Sequence, residues 1–346
     1  MLADTPLARA GYDARIKKSL DLPRDLMPGR VTMQLRSDRF RVLTEAGECA
    51  ALVHLDRSVS GPRSAAVGDW VGVERDGDTV IIRRIMQRNT ALTRKTAGRE
   101  TVEQVLAANI HWVFVLSAPT GELNPRRIER FLTAIFDSGA RPAIMLTKAD
   151  LVSDPFSHVR QLNQICPGVP VHAVSVPAGR GLEALPRYFM GNRTAALIGS
   201  SGVGKSTLLN HLAGGPIERV QTTRSDDKGK HTTTYRRLVV LPAGGAVVDT
   251  PGMRELQLWD GSPEEAFADV MALAQRCRFA DCRHSGEPGC AVSAAVAAGE
   301  IAQSRIDSYN KLQLELRHIQ AKKDKRARTE RRQGRRRASP SRRCPP

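Results

Sequence analysis

Short segments in which apolar and polar residues alternate fill the chain between residues 30 and 88. Such alternation, bounded by turn residues, predicts β-strands that bury one face. Five strands within about 60 residues favour a small β-barrel of the oligonucleotide-binding (OB) type, and a barrel without a nucleic-acid role is the alternative. The five segments are RVTMQL, FRVLT, CAALVHL, DWVGVE and TVIIRRI.

From residue 112 onward, short apolar strands alternate with helical segments of about 10–15 residues. This alternation predicts a mostly parallel α/β sheet. The predicted strands are Trp112–Leu116, Ala143–Leu146, Val169–Val174, Ala195–Ile198, Leu238–Leu241 and Ala246–Val248. The predicted helices are Asn124–Ser138, Phe156–Ile165, one that begins at Lys205, Glu264–Arg276 and Val292–Gln320.

Much of the positive charge lies at the C-terminus. The 346 residues carry 53 Lys and Arg against 36 Asp and Glu, a formal net charge of +17, and residues 321–346 account for +10 of it. This tail has almost no apolar side chains, which predicts a disordered basic arm that either contacts phosphates or only aids solubility. The net charge predicts a polyanionic partner, either nucleic acid or an acidic membrane surface.

Membrane and secreted classes of protein do not fit the sequence. It has no run of about 18 apolar residues, and its N-terminus has no apolar stretch typical of a secretory signal. Cys49, Cys166 and Cys344 are scattered, unlike the cysteines of a secreted disulfide framework. We therefore expect a cytoplasmic protein that does not span a membrane, and the motifs below select nucleic acid over a membrane as its partner.

A phosphate-binding loop (P-loop) follows the predicted strand Ala195–Ile198. Residues 199–207 read GSSGVGKST, which matches G-x-x-x-x-G-K-[ST] and leads into a helical segment. Glycines let backbone N–H groups face phosphate oxygens, Lys205 reaches the β- and γ-phosphates, and Ser206 offers a hydroxyl to Mg²⁺. The predicted nucleotide-binding residues here are Gly199, Ser200, Ser201, Gly202, Val203, Gly204, Lys205, Ser206 and Thr207. The motif alone does not separate ATP from GTP.

A second nucleotide element, Asp249-Thr-Pro-Gly252, ends a later apolar strand. Asp249 can hold the magnesium shell through water, and the Gly252 N–H can sense the γ-phosphate. Between the two elements lies a polar loop with His231, a candidate catalytic residue, and a run of threonines expected to bind nucleotide, namely Thr232, Thr233 and Thr234. One threonine, with Thr233 as the working choice, joins Ser206 as a magnesium ligand, although the sequence does not separate the three.

A guanine-binding element ends the strand Ala143–Leu146. Its residues, Thr147, Lys148, Ala149 and Asp150, resemble the N-K-x-D motif of GTPases with Thr in place of Asn. The Asp150 carboxylate would accept from the N1–H and N2–H₂ edge, donors that adenine lacks, and the Lys148 stem would pack along the ring. Ser175 and Val176, after the next strand, resemble the loop that supports guanine.

The order of these motifs is unusual. In an ordinary small GTPase the P-loop comes first and the guanine motif last, whereas here residues 147–150 and 175–177 precede 199–207 and 249–252. This order predicts a circularly permuted GTPase, because the close termini of such domains let permutation keep the site intact in space.

Three cysteines and one histidine form a compact cluster. Cys277, Cys282, His284 and Cys290 have the spacing C-x4-C-x-H-x5-C, which suits tetrahedral zinc. Four protein ligands would close the shell, so we predict one structural zinc ion. The alternative is a loop of unliganded thiols.

These motifs together resemble the ribosome small-subunit-dependent GTPase family, RsgA. The residues that carry the resemblance, within about residues 30–320, are GSSGVGKST, KHTTT, DTPG, TKAD, VEQVLAANIHWVFVL and CRFADCRHSGEPGC. The resemblance implies a GTPase that binds the 30S subunit and its 16S rRNA during late maturation, with magnesium and GTP or GDP, and we expect a monomer. The division that we predict is an N-terminal extension (1–29), an OB-like barrel (30–92), a permuted GTPase domain (93–262), a helical zinc domain (263–320) and a disordered basic tail (321–346).

One residue departs from ordinary GTPases. Met253 follows Gly252, where a water-orienting Gln often lies, and a thioether cannot position the attacking water. We therefore expect slow intrinsic hydrolysis that the partner accelerates. The alternatives are an assembly scaffold that holds nucleotide as a static ligand and an ATP-driven nucleic-acid enzyme, and the guanine element argues against the second.

Overall fold

The structure, a computed structural model, describes residues 5–36, 38–56, 61–62, 64–95, 103–119, 123–217, 236–249 and 263–338. The chain divides into two compact units, Met1–Gln257 and Leu258–Pro346, and each is described by itself.

The first unit contains thirteen strands and five helices among its described residues. The strands are β1 Met27–Gln34, β2 Arg39–Thr44, β3 Gly47–Val53, β4 Trp70–Asp76, β5 Thr79–Ile85, β6 Ala91–Lys95, β7 Glu103–Ala108, β8 Trp112–Ser117, β9 Arg141–Leu146, β10 Val171–Ala173, β11 Thr194–Ile198, β12 Arg237–Val240 and β13 Ala246–Asp249. The helices are α1 Pro6–Arg9, α2 Ala14–Leu20, α3 Pro125–Asp137, α4 Pro155–Ile165 and α5 Lys205–Leu212.

The predicted barrel is confirmed. Strands β1 to β5 pair in the order β1-β2-β3-β5-β4, and β4 pairs back onto β1, which closes the sheet. Alternate side chains fill its interior, with Val31, Phe40, Val71 and Ile82 almost fully buried. Closure leaves no free strand edge, so even a small five-stranded sheet can bury a continuous core.

The N-terminal segment contains helices that the sequence did not predict. Residues 1–29 were predicted only as an N-terminal extension, but the structure has α1 and α2 there, and Thr5 and Asp13 cap them with side-chain oxygens. Leu7 and Trp70 lie in one buried cluster, which packs the N-terminal segment against the barrel. Helices this short carry too little periodicity to be recognised, and their stability comes from packing.

The α/β sheet is also confirmed, in the strand order β10-β9-β8-β11-β13-β12. All neighbouring pairs are parallel except β12, which runs antiparallel to β13. Every residue of β11 is buried, as expected for a strand covered on both faces. The predicted strand Val169–Val174 shortens to β10, since Pro170 has no N–H for the ladder.

A hairpin separates the barrel from the α/β sheet. No strand was predicted between the barrel segments and Trp112, but β6 pairs antiparallel with β7 there. Asn109 ends the hairpin with a positive φ of 56°, and its side chain accepts from the Asn89 N–H and donates to the Gly68 carbonyl. These contacts are distant in sequence, which is why local pattern did not predict the hairpin.

Arg30, on β1, joins four segments of the first unit. Its guanidinium is buried and donates to the carbonyls of Ala10, Gly68 and Asn109 and, over 2.8 Å, to the Thr194 hydroxyl of β11. Burial lowers the pKa of Arg30 to about 9, so the side chain stays protonated at neutral pH. The barrel and the α/β sheet, which also share the β1–β12 pairing, are thereby fastened together.

The second unit is helical in its described residues. Its helices are α6 Ala268–Ala274, α7 Ala291–Ala297 and α8 Gln303–Ala338. Arg305 fixes α8 against α6 through an ion pair with Asp269 at 2.7 Å, and its guanidinium lies 4.3 Å from the centre of the Phe267 ring.

Two boundaries in this unit differ from the predictions. The helix expected over Val292–Gln320 is broken at Gly299, whose φ is +76°. Disorder was predicted from Ala321, whereas α8 continues to Ala338. The tail cannot form a core, but Ala, Arg, Lys, Gln and Glu are strong helix formers, and no proline occurs before Pro340.

Within the described residues, no helix is both long and apolar enough to cross a membrane.

Candidate nucleotide site and metal centre

The P-loop lies between β11 and α5, at the carboxyl end of the sheet, where ligands of open α/β sheets bind. Gly199, Gly202 and Gly204 have φ values of 145°, 78° and 104°, which favour glycine. A methyl group on Gly199 would lie 2.5 Å from the Leu116 carbonyl oxygen, so β8 also excludes a side chain there. Lys205 donates from Nζ to the Gly199 and Ser200 carbonyls at 2.7 and 2.5 Å, which places its charge inside the loop.

Thr147 connects the guanine element to the P-loop. Its buried hydroxyl lies 2.6 Å from the Val203 carbonyl and 3.1 Å from the Ser117 carbonyl. Gly204, whose φ of +104° favours glycine, lies in van der Waals contact with the Thr147 side chain. The base and phosphate elements therefore hold each other in register.

The base loop is formed by two strand ends. The Ala149 N–H donates to the Val174 carbonyl, and Ser175 and Arg180 exchange both backbone hydrogen bonds. Gly181 permits this turn, because a methyl group there would lie 2.0 Å from the Ala173 carbonyl oxygen. A hydrogen bond with the Ser175 side chain lowers the pKa of the Asp150 carboxyl, which is therefore an anionic acceptor at neutral pH.

Asp249 ends β13 beside the P-loop strand. It pairs with Leu197 of β11, two residues before Gly199, and with Arg237 of β12. The structure thus brings the P-loop, the base loop and Asp249 to one edge of the sheet. Six predicted or discussed residues lie outside the described ranges, namely His231, Thr232, Thr233, Thr234, Gly252 and Met253.

The four predicted metal ligands lie together in the second unit. The ligand atoms of Cys277, Cys282, His284 and Cys290 are all within 4.8 Å of one another. The Cys277 Sγ is 3.9 Å from the Cys290 Sγ and 3.7 Å from the His284 Nδ1, and the Cys290 Sγ is 3.6 Å from that nitrogen. A tetrahedral zinc ion with ordinary bond lengths requires separations of about 3.5–3.8 Å. These residues therefore fit a metal ion of this kind.

Hydrogen bonds fix the ligand loop. Burial raises the pKa of the Cys290 thiol, but hydrogen bonds with Ser293, His284 and Cys282 together outweigh it and bring the pKa to about 6. A lowered pKa favours the thiolate that metals bind. Glu287 accepts from the backbone N–H groups of Arg283 and Ser285 at 2.9 and 2.7 Å. His284 has a φ of +58°, which this network holds in place.

Two features of the site escaped the sequence argument. The hydrogen bond from Thr147 to Val203 joins residues 56 positions apart in the chain. Its only sequence signal was a Thr at the position where Asn was expected. Glu287 braces the ligand loop, and its only signal was a carboxylate between the last two ligands.

Comparison with known proteins gives a consistent result. A family model described as RsgA GTPase matches residues 85–259. A Lactiplantibacillus plantarum protein named small ribosomal subunit biogenesis GTPase RsgA 2 is 42% identical over 315 residues, 90% of this chain and 89% of the relative. A Streptomyces coelicolor protein named small ribosomal subunit biogenesis GTPase RsgA is 44% identical over 313 residues, 88% and 84% of the two chains.

Two solved structures share the fold. The crystal structure of YjeQ from Thermotoga maritima has a TM-score of 0.62 and 29% identity, and the alignment covers 84% of this chain and 98% of that one. The structure of YloQ, described as a circularly permuted GTPase, has a TM-score of 0.61 and 24% identity, with 85% and 96% covered. The permuted fold that the motif order predicted is confirmed.

Proposed function

This chain belongs to the RsgA GTPase family, and from that premise we propose that it hydrolyses GTP to GDP and phosphate during biogenesis of the small ribosomal subunit. The observation that supports this most directly is the convergence of the P-loop, the base loop and Asp249 at one sheet edge. Hydrolysis would time the release of the protein from the 30S subunit late in its maturation.

The phosphate side of the site is assigned residue by residue. The P-loop N–H groups bind the β- and γ-phosphate oxygens, and Lys205 offsets the charge that develops there. Ser206 and one of Thr232, Thr233 and Thr234 would hold a magnesium ion, with Asp249 acting through water, and this ion would neutralise phosphate charge. The Gly252 N–H senses the γ-phosphate, and His231 is the candidate to assist the attacking water.

The base side selects guanine. The Asp150 carboxylate, whose pKa is lowered further by a hydrogen bond with Ser175, accepts from the N1–H and N2–H₂ edge of guanine. An adenine would leave this carboxylate without these donors. The Lys148 stem packs along the ring, and Ala149 and Val176 complete the pocket. Lys148 has a φ of +56°, a left-handed conformation that is uncommon outside glycine.

The cysteine-histidine cluster holds one structural zinc ion in this proposal. Its four ligands close the shell, so the metal stabilises the loop and leaves no open position for chemistry. We further propose that the protein is a cytoplasmic monomer that contacts 16S rRNA through basic surfaces. The domain division is the one predicted from the sequence, except that α8 extends the helical unit into the basic tail as far as Ala338.

Co-sedimentation with purified 30S subunits tests this function. Because a nucleotide switch changes affinity for its partner, we expect the chain to pellet with 30S subunits in a non-hydrolysable GTP analogue and to be released in GDP. Lys205→Ala, which weakens phosphate binding, should reduce the difference between the two nucleotides. Equal binding in both nucleotides by the unaltered chain would contradict a timing role and would favour a static scaffold.

A further inference from the structure

The ligand loop of the second unit presents an aromatic side chain to solvent. Phe279, between Cys277 and Cys282, is 45% exposed. Its backbone is held on both sides, since the Arg278 N–H donates to the Gly289 carbonyl at 3.1 Å and the Cys282 N–H donates to the Phe279 carbonyl at 3.3 Å. The ring therefore stands on a fixed turn.

One arginine packs against this ring. The Arg278 guanidinium carbon lies 5.5 Å from the ring centre, within cation–π distance. Gly289 allows this position, because a methyl group there would lie 2.9 Å from the Arg278 Cβ. Arg276 and Arg283 are exposed on the same loop.

Two acidic residues lie on the same loop. Glu287 accepts from the backbone N–H groups of Arg283 and Ser285, which directs its carboxylate toward the loop backbone. Asp281 is exposed, as are Arg276, Arg278 and Arg283. Guanidinium groups are therefore available beside the exposed ring to donate to a phosphate.

We infer that Phe279 is a stacking platform for an unpaired base of RNA, with Arg278 holding the adjacent phosphate. Single-stranded RNA offers both a base face and a phosphate, whereas a duplex hides its base faces in the stack. Base stacking on an aromatic side chain needs no particular base, and a fixed ring loses little entropy on binding. This assignment rests on the proposed function, which supplies an RNA partner, and it names a contact on that partner.

Binding of a fluorescein-labelled 12-nucleotide single-stranded oligoadenylate, measured by anisotropy over a range of salt concentrations, tests the inference. Phe279→Ala should weaken binding about fivefold to hundredfold without changing the salt slope, because stacking releases no counterions. Arg278→Gln should lower the slope by about one. Phe279→Tyr should bind like the unaltered chain, and Phe279→Leu like Phe279→Ala.

Phe156 provides the matched control. It is 65% exposed and lies on α4 of the first unit, so Phe156→Ala should leave oligoadenylate binding unchanged. The Tyr and Leu variants keep the test valid if Phe279→Ala fails to fold, since both retain a large apolar group. Equal binding by the Tyr and Leu variants, or equal losses on a 12-base-pair RNA duplex, would overturn the stacking assignment and would point to an apolar protein contact or to charge alone.

The test separates this inference from the proposed function. Stimulation of GTP hydrolysis by 30S subunits reports the function of the first unit, whereas oligoadenylate binding reports the loop directly. If 30S subunits stimulate GTP hydrolysis but substitution of Phe279 leaves the affinity for oligoadenylate unchanged, only the stacking assignment is refuted.

Discussion

At the residue scale, single side chains set the geometry of the site. Thr147 occupies the position where GTPases usually carry Asn, and its hydroxyl reaches the Val203 carbonyl directly. The shorter side chain thus keeps a contact between base loop and P-loop. His111 similarly holds the first residue of β11 in place, because its Nδ1 accepts from the Thr194 N–H at 3.1 Å.

Removing the Thr147 hydroxyl should weaken nucleotide binding. Thr147→Val keeps the shape but leaves the buried Val203 carbonyl without this donor, a cost of about 1–3 kcal/mol. We expect the affinity for a fluorescent GDP analogue to fall about tenfold, while Thr147→Ser retains it. Thr133→Val is the control, since Thr133 is equally buried and bonds only the Glu129 carbonyl within α3. Equal affinities for all three variants would contradict a role for Thr147 in the site.

His111 should make the first unit sensitive to acid. Burial, followed by the charge of Arg30, lowers its pKa to about 4, so the folded state holds it neutral while the unfolded chain titrates near pH 6.5. Unfolded chains then bind more protons between these values, and stability falls as pH drops from about 6.5 to 4. Thermal melts of His111→Asn, which keeps an acceptor, should show a shallower loss over this range. If the melting temperatures of the unaltered chain and His111→Asn fall equally with pH, His111 is not the cause of the acid sensitivity.

At the element scale, the sequence predicted those helices and strands that are specified by residues close together in the chain. The barrel strands and the P-loop were predicted because alternation and glycine spacing are local signals. Helices α1 and α2, the β6–β7 hairpin and the helical tail were missed. Contacts distant in sequence hold the first three, such as the approach of Gly68 to the Ala108 carbonyl. The tail has almost no apolar residues, and its helix follows from the helix propensity of its Ala, Arg, Lys, Gln and Glu residues.

The ligand loop should depend on its metal. Cys282→Ser removes one of four ligands, so we expect bound zinc, measured by inductively coupled plasma mass spectrometry, to fall from one per chain to well below one. Cys49→Ser is the control, because Cys49 lies on β3 far along the chain from the cluster. Retention of a full zinc equivalent by Cys282→Ser would show that this cysteine is not a ligand.

The tail should contribute helix and salt-sensitive affinity. Truncation after Gln320 removes residues 321–346, which include the last turns of α8 and a charge of +10. We expect far-UV circular dichroism to show less helix per chain, and RNA binding to be weaker with a flatter salt dependence. Guanine preference should be unaffected. An unchanged helical signal would contradict the continuous α8.

At the scale of the whole molecule, permutation explains how distant motifs share one site. The base loop precedes the P-loop in the chain, yet β9 and β11 both flank β8 and end at the same sheet edge. Arg30 and the β1–β12 pairing fasten the barrel to this sheet. The charge of +17 fits a ribonucleoprotein partner, and the tail carries more than half of it.

The rate of GTP hydrolysis with and without 30S subunits tests the central claim most directly. Met253 offers no group to orient water, so we predict slow hydrolysis by the isolated chain and a strong acceleration when 30S subunits are added. Lys205→Ala should abolish the accelerated rate. Fast hydrolysis by the isolated chain, or a rate that 30S subunits leave unchanged, would contradict the account.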